Sequence, residues 1–500
     1  MAKSKASPTR PKPKGGAAIK GGAAPKASSS GGSVSASSAS RPASVSAGGA
    51  ITGYLPNDMP PPAQLVILGL QHVLTMFPAT VFVALFVGFH VSTVLFATGL
   101  ATIVALLLSR WGIGKFIPLY YGSSFSYLAA ISAVTGVAPF SGPASDEKIQ
   151  LAQAGILVTG MINVLVGLII RQTGGKKMID RFLPPVITGS VAAVIGFALG
   201  FAALGLATGT CCGKTGADVN WLIVSMVTLV STILFSVYLQ GKGFMGMIPV
   251  LLGAIVGYLV AIPFGLVNFD LITKADLFTT PHITFPTFSG DMIGTVVIGI
   301  GIMAIATIPE STAHLYQISL YVDHLADEMK QKRYELSEHI GFNLILDGIG
   351  DMINGLLGST AGTNYGENNS LMVITRNYSG PALISAGVIA MLLAFSGTLE
   401  GVIQSVPNAV AGGLSIYLFG VIGMQGIALM MSEKVDLYDP QQLAIGGAIL
   451  VIGIGGHIGY NSFLPIPLLT SIFPNGWPAI ATAAVVGILL NGVFMIFKRK

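Results

Sequence analysis

The chain has 500 residues and a formal net charge of +5, with 52% hydrophobic and only 9% charged residues. Ordinary soluble domains carry about 25% charged residues, so a water-exposed globular surface is excluded. Mean hydropathy is +0.75, and apolar segments recur through nearly the whole chain, which points to a polytopic membrane protein.

Residues 1–50 are rich in Lys, Pro, Ser, Ala and Gly and contain no Asp or Glu. Such a segment cannot bury enough apolar surface to fold. It lacks the apolar run of a secretory signal, and is read as a disordered basic tail in the cytosol, with an organellar transit peptide as the alternative. Cys211 and Cys212 are adjacent and support neither a disulfide framework nor a thiolate metal site.

From residue 63 onward the pattern predicts an all-α polytopic protein with fourteen spans. They lie at 63–87, 91–109, 119–136, 149–170, 183–206, 219–239, 244–264, 293–318, 341–358, 364–380, 382–399, 408–431, 440–458 and 477–497. The longest polar loop, 321–339, reads as a solvated amphipathic helix. With both termini in the cytosol, 23 of the 26 Lys and Arg fall inside and only Lys148, Lys214 and Lys274 outside. That asymmetry is what the positive-inside rule demands.

Two motifs recur seven spans apart. Pro184 and Gly189 open the fifth span, and Pro407 and Gly412 open the twelfth with the same spacing. Tyr121-Gly122 starts the third span and Tyr365-Gly366 the tenth. An odd repeat length forces opposite orientation on the halves, which predicts a 7+7 inverted repeat of the kind secondary transporters use.

Spans three and ten are polar and small, in Tyr120-Tyr121-Gly122-Ser123-Ser124-Phe125-Ser126 and Thr363-Asn364-Tyr365-Gly366-Glu367-Asn368-Asn369-Ser370. Lipid forbids exposed irregular backbone, so both are expected to be broken, each a short strand plus a half-helix, and to line a cavity. Backbone N–H groups at a half-helix start bind ligands directly.

Intramembrane acids are costly and mark function. Glu310 follows Pro309, and His314 lies four residues on, hence on the same helical face. Such a pair suits the gain and loss of a proton. Glu367 is expected to face Glu310. Two carboxyl groups match the N–H and C=O edge of a planar heterocycle, since an ionised carboxylate only accepts and a protonated one also donates. Phe125 is placed to stack on such a ring. Asp347 and Asp351, four apart, fit either a second cation-linked site or hydrogen bonds to neighbouring helix ends. His72 fits bracing the site and contacting ligand equally well. His457 and Glu400 are read as interfacial. Motifs for nucleotide phosphates, zinc hydrolysis or a serine nucleophile are absent, so no enzyme, metal or organic cofactor is expected.

Gly69-Leu70-Gln71-His72-Val73-Leu74-Thr75-Met76-Phe77 resembles the first-span signature of the nucleobase–ascorbate transporter family. Tyr365-Gly366-Glu367-Asn368 with Thr375-Arg376 resembles its tenth-span signature in uracil-carrying members. Glu310-x-x-x-His314, Gly122-Ser123-Ser124-Phe125, Leu183-Pro184-Pro185 and Val410-Ala411-Gly412-Gly413 resemble the same family, over residues 63 to 497. The resemblance implies a core domain (63–172 and 293–399, spans 1–4 and 8–11) and a gate domain (183–264 and 408–497, spans 5–7 and 12–14). It implies import of a nucleobase, uracil first, by proton symport in a plasma membrane, often as a homodimer, with the lipid bilayer and no nucleic acid as partner. Phe125, Glu310, Gly366 and Glu367 would contact the base. Glu310, His314 and Glu367 would couple it to H+, with support from His72, Asp347, Ser123, Ser124 and Asn368. Two departures, Ser370 in place of the usual Gly and Asp347 in the manner of xanthine members, keep a purine (xanthine or urate) symporter as the alternative. An anion transporter of related fold is a third reading, disfavoured by two facing acids.

Overall fold

The computed structural model describes residues 53–173, 181, 183–210, 216–239, 245–246, 248–290, 292–468 and 476–497. The basic tail and the Cys211-Cys212 pair lie outside these residues. Among the described residues ten helices are long and apolar enough to cross a membrane, and three apolar helices are shorter.

The chain opens with α1 (Pro62–Val87) and α2 (Val91–Ile113). Strand β1 (Tyr121–Ser123), a 3-10 turn (Phe125–Tyr127) and the short α3 (Leu128–Thr135) follow, then α4 (Asp146–Thr173). Helices α5 (Pro185–Ala198), α6 (Gly200–Thr208), α7 (Val219–Tyr238), α8 (Pro249–Ala261) and the one-turn α9 (Asp270–Thr273) come next. The second half runs through α10 (Ile293–Gly301), α11 (Ala304–Glu328), α12 (Ile340–Leu357), strand β2 (Gly362–Asn364) and α13 (Gly366–Thr375). It continues with α14 (Gly380–Leu393), α15 (Gly397–Gln404), α16 (Asn408–Ser432) and α17 (Pro440–Gly459). Strands β3 (Phe463–Leu464) and β4 (Trp477–Pro478) precede α18 (Ala479–Ile496).

Proline marks helix starts where a missing N–H costs nothing, at or next to the first residue of α1, α5, α8, α14 and α17. Gly88 ends α1 at φ 76, a left-handed conformation in which only glycine is unstrained. A Cβ there would also lie 2.5 Å from Val137.

The protein is not purely helical. β1 and β2 pair antiparallel, Tyr121 opposite Asn364, Gly122 opposite Thr363 and Ser123 opposite Gly362. The ladder extends through Tyr365 N to Tyr120 O (2.9 Å) and Ser124 N to Ala361 O (3.0 Å). β3 and β4 form a second, two-residue pair that the sequence pattern does not announce.

The polar segment 321–339 is not a separate solvated helix. α11 runs on to Glu328, and a 3-10 turn at Leu336–His339 leads into α12. Polar side chains fix the connection instead. Asp323 Oδ1 accepts from Tyr334 N (2.7 Å) and Glu335 N (3.0 Å). Arg333 forks onto Asp327, Nη2 to Oδ2 2.6 Å and Nε to Oδ1 2.9 Å, and these hydrogen bonds hold the Asp327 carboxyl below its usual range.

Close packing rests on reciprocal glycine pairs, the small-residue contacts expected where lipid offers no hydrophobic drive. A Cβ on Gly99 (α2) would sit 2.6 Å from Gly387 O (α14), and one on Gly387 2.8 Å from Gly99 O. Gly160 (α4) and Gly348 (α12) repeat this at 2.6 and 2.5 Å, and Gly189 (α5) and Gly426 (α16) at 2.7 and 2.4 Å.

Candidate functional site

The strand pair sits deep in the protein, and its backbone needs partners that lipid cannot give. Buried side chains provide them. Thr102 Oγ1 on α2 accepts from Tyr121 N (3.1 Å) and lies 3.0 Å from Tyr121 O. Asp351 Oδ1 on α12 accepts from Gly362 N at 2.6 Å, and its Oδ2 accepts from Asn163 Nδ2 at 3.2 Å. Asp351 thus holds a strand edge, where the sequence reading offered hydrogen bonds to helix ends or a second cation-linked site. Replacing Asp351 with Ala leaves the Gly362 N–H unpaired, which costs about 1–3 kcal/mol. The expected result is a lowered thermal unfolding midpoint for the purified protein; an unchanged midpoint would show that the strand edge is satisfied otherwise.

Tyr365 closes the other side. Its hydroxyl donates to Ser123 O (2.9 Å) and lies 2.9 Å from Thr80 Oγ1. A Cβ on Gly122 would enter the Tyr365 ring at 2.6 Å. The repeated Tyr-Gly motif is therefore an interlock between the two halves of the chain.

Beyond the strands, the starts of the 3-10 turn and of α13 open on a cavity of about 480 Å3. Phe125, Glu310, His314, Gly366, Glu367, Ser123 and Ser124 all line it. The structure brings these together and leaves three candidates behind the wall. His72 is buried at the back of α13, where Asn368 Nδ2 donates to His72 O at 3.1 Å. Asp347 is buried beside Ser311 and Asp351, and its Oδ2 has no hydrogen-bond partner among the described residues.

Several of the lining groups are held in place by neighbours. His314 Nδ1 lies 2.9 Å from Asn364 O and 2.8 Å from Asn364 Oδ1. Both atoms accept, because Asn364 Nδ2 is turned to donate to Ser311 Oγ at 2.6 Å. Nδ1 therefore carries the proton, and Nε2 is the exchangeable atom. Nε2 points at Gly366, where a Cβ would lie 2.8 Å away. Glu310 is half-buried on the same face of α11, within hydrogen-bonding reach of Ser126. Glu367 is exposed to the cavity in the first turn of α13. Tyr365, the N-cap of that helix, offers no side-chain cap, so the leading N–H groups remain available to a ligand. Phe125 leans on Phe82 at 6.0 Å between ring centroids.

Sequence reasoning missed three polar lining residues, Thr188 on α5, Gln317 on α11 and Gln425 on α16. Gln425 had a signal, a lone amide in the apolar run Val421-Ile422-Gly423-Met424-Gln425-Gly426. Gln317 had one as well, three residues after His314 and seven after Glu310 on the same helical face; Thr188 had none.

The chain matches the Permease family (Xan_ur_permease) over residues 63–461. It is 35% identical over 436 residues to a uracil permease of Bacillus caldolyticus, covering 87% of this chain and 93% of the relative. It is 32% identical over 444 residues to a uracil permease of Escherichia coli K12, covering 88% and 93%. Among solved structures it resembles the transmembrane domain of a cyanobacterial bicarbonate transporter, BicA, with a TM-score of 0.51 at 11% identity, covering 86% of this chain and 96% of that one. SLC26A9 aligns with a TM-score of 0.57 at 14% identity, over 87% of this chain and 65% of that one. These two likenesses concern the fold alone.

Proposed function

The chain belongs to the Permease family Xan_ur_permease, and from that premise we propose that it is a secondary transporter importing a nucleobase, uracil first, together with protons. The observation that carries the reading is one cavity lined by Glu310, Glu367, Phe125 and the uncapped start of α13. A pyrimidine presents N–H beside C=O. The Glu367 carboxylate accepts from the first, backbone N–H groups and a protonated Glu310 donate to the second, and Phe125 covers the ring face. Glu310 and the exchangeable Nε2 of His314 take up the proton, so that binding of the base follows protonation. Relatives of about one-third identity that carry the name uracil permease support the substrate class.

In this reading the chain spans the plasma membrane fourteen times with both ends in the cytosol. Ten long helices, the three shorter apolar ones and α13 make up that number. The glycine contacts support a 7+7 inverted repeat. A shift of seven spans turns the α2–α14 pair (spans 2 and 11) into the α12–α4 pair (spans 9 and 4). Gly99 meets Gly387 O and Met391, four residues on, and its counterpart Gly348 meets Gly160 O and Val164, again four residues on. The core domain of spans 1–4 and 8–11 then carries Glu310, His314 and α13, and moves against the gate domain that contributes Thr188 and Gln425. A homodimer fits the family resemblance.

Uptake of labelled uracil into proteoliposomes, with and without an inward proton gradient and with excess xanthine, tests this. Gradient-driven uptake that xanthine does not compete away is expected. Xanthine uptake in place of uracil would move the substrate to purines, the reading that Asp347 and Ser370 favour. Saturable sulfate flux independent of pH would revive the anion reading. Glu367→Gln is expected to lower uracil uptake by about tenfold, one charge-assisted hydrogen bond, and to shift selectivity toward xanthine. Unchanged uptake and selectivity would remove Glu367 from the site.

A further inference from the structure

Away from the cavity, three chain segments bring two imidazoles and a carboxylate together. His90 is the N-cap of α2, Asp146 opens α4, and His282 lies in the segment between α9 and α10. Their ligand-capable atoms all lie within 4.8 Å of one another. His282 Nε2 is 2.9 Å from Asp146 Oδ1, and the two imidazole rings are 4.4 Å apart between centroids. Tetrahedral zinc with bonds of about 2.0–2.2 Å needs neighbouring ligand atoms roughly 3.3 Å apart. Small side-chain rotations separate the existing spacing from that value.

The backbones that carry the three residues are held in place. Thr93 Oγ1 donates to His282 O at 2.9 Å. Two residues on, Thr284 Oγ1 donates to Gln153 Oε1 and Gln153 Nε2 donates to Thr284 O, both at 2.7 Å. Ala144 N donates to Gly88 O at 2.8 Å, joining the approaches to Asp146 and His90. The His282 and Asp146 side chains are 46% and 53% exposed, so an ion reaches them from water.

We propose that His90, Asp146 and His282 form a binding site for a divalent transition-metal ion of the zinc class, with water in the remaining position. Two imidazoles and one carboxylate with an open position are a donor set that zinc accepts. In the fourteen-span reading the site faces the outside of the cell. A bound ion fastens the segment that joins α8 to α10 onto α2 and α4, and so ties the gate–core connection to the core. The site shares no residue with the cavity, and its binding test does not depend on what the cavity carries.

The test is isothermal titration of ZnCl2 into the full-length, tag-free protein after chelator treatment, with Cys211 and Cys212 both replaced by Ser so that no thiol contributes to the heat. One zinc per chain is expected, with affinity at least about tenfold lower in His90→Ala and in His282→Ala. Asp146→Asn, which keeps the shape of the side chain, guards against misfolding and is expected to weaken binding as well. Thermal unfolding without zinc serves as the folding control. No saturable zinc binding, or equal affinity in the parent and all three variants, overturns the site.

Discussion

Glu310→Gln is expected to lower proton-driven uracil uptake by roughly tenfold to 100-fold. The substitution keeps the shape of the side chain and removes its charge and its exchangeable proton. Hydrogen bonds to charged groups are worth about 1.5–3 kcal/mol, and about 1.4 kcal/mol is a factor of ten. Glu310 lies on the cavity face of α11, one turn before His314, where no other carboxylate on that helix reaches. The measurement is initial uptake into proteoliposomes, normalised to reconstituted protein. Exchange of labelled for unlabelled uracil without a gradient separates the two parts of the role. If the carboxylate serves only the proton, exchange persists while gradient-driven accumulation is lost. Uptake within about twofold of the parent would remove Glu310 from the mechanism.

Gly348→Leu is expected to prevent stable folding. Its Cβ would lie 2.5 Å from Gly160 O and 2.7 Å from Val164 N. Both obstacles are backbone, which cannot rotate aside as a side chain does. Overpacking a good core costs about 1–3 kcal/mol per site, and a leucine wedged between two helix backbones belongs at or above the top of that range. Size-exclusion profile and thermal unfolding of the purified protein are the readouts. Gly447, on α17, has nothing within 4 Å of its would-be Cβ, and Gly447→Leu is the control expected to fold. A folded Gly348→Leu protein of parental stability would mean that α4 and α12 do not meet as described.

The long apolar helices were legible because composition and length alone define them. Pro62–Val87, Val91–Ile113 and Asn408–Ser432 fall within a few residues of the runs read from sequence. The cavity lining was legible in part, because Glu310, His314 and Glu367 are too costly in an apolar run to be incidental. Four features were not. The continuation of α11 to Glu328 depends on tertiary ion pairs, among them Arg376 with Glu328, that a local pattern does not contain. The β3–β4 pair is two residues long, too short to have a period. Thr188 faces the cavity only because of how α5 turns. His72 and Asn368 carry a strong local motif, but the motif serves the back of α13, and sequence spacing cannot tell the front of a helix from its back when both are buried.

The pairing of Tyr121 with Asn364 also sets an order of events at the ribosome. Residues 121–123 leave the exit tunnel some 240 residues before their strand partner exists. At about 5–20 residues per second, the first half waits roughly 10–50 s with an unpaired strand edge. During that time Thr102 satisfies part of the edge, and the rest stays exposed to water, to the insertion machinery or to a wrong strand. Nascent chains arrested before residue 362 should therefore be the protease-sensitive, chaperone-dependent form, and release past residue 365, when Tyr365 can close on Ser123, should be the step that makes the chain resistant.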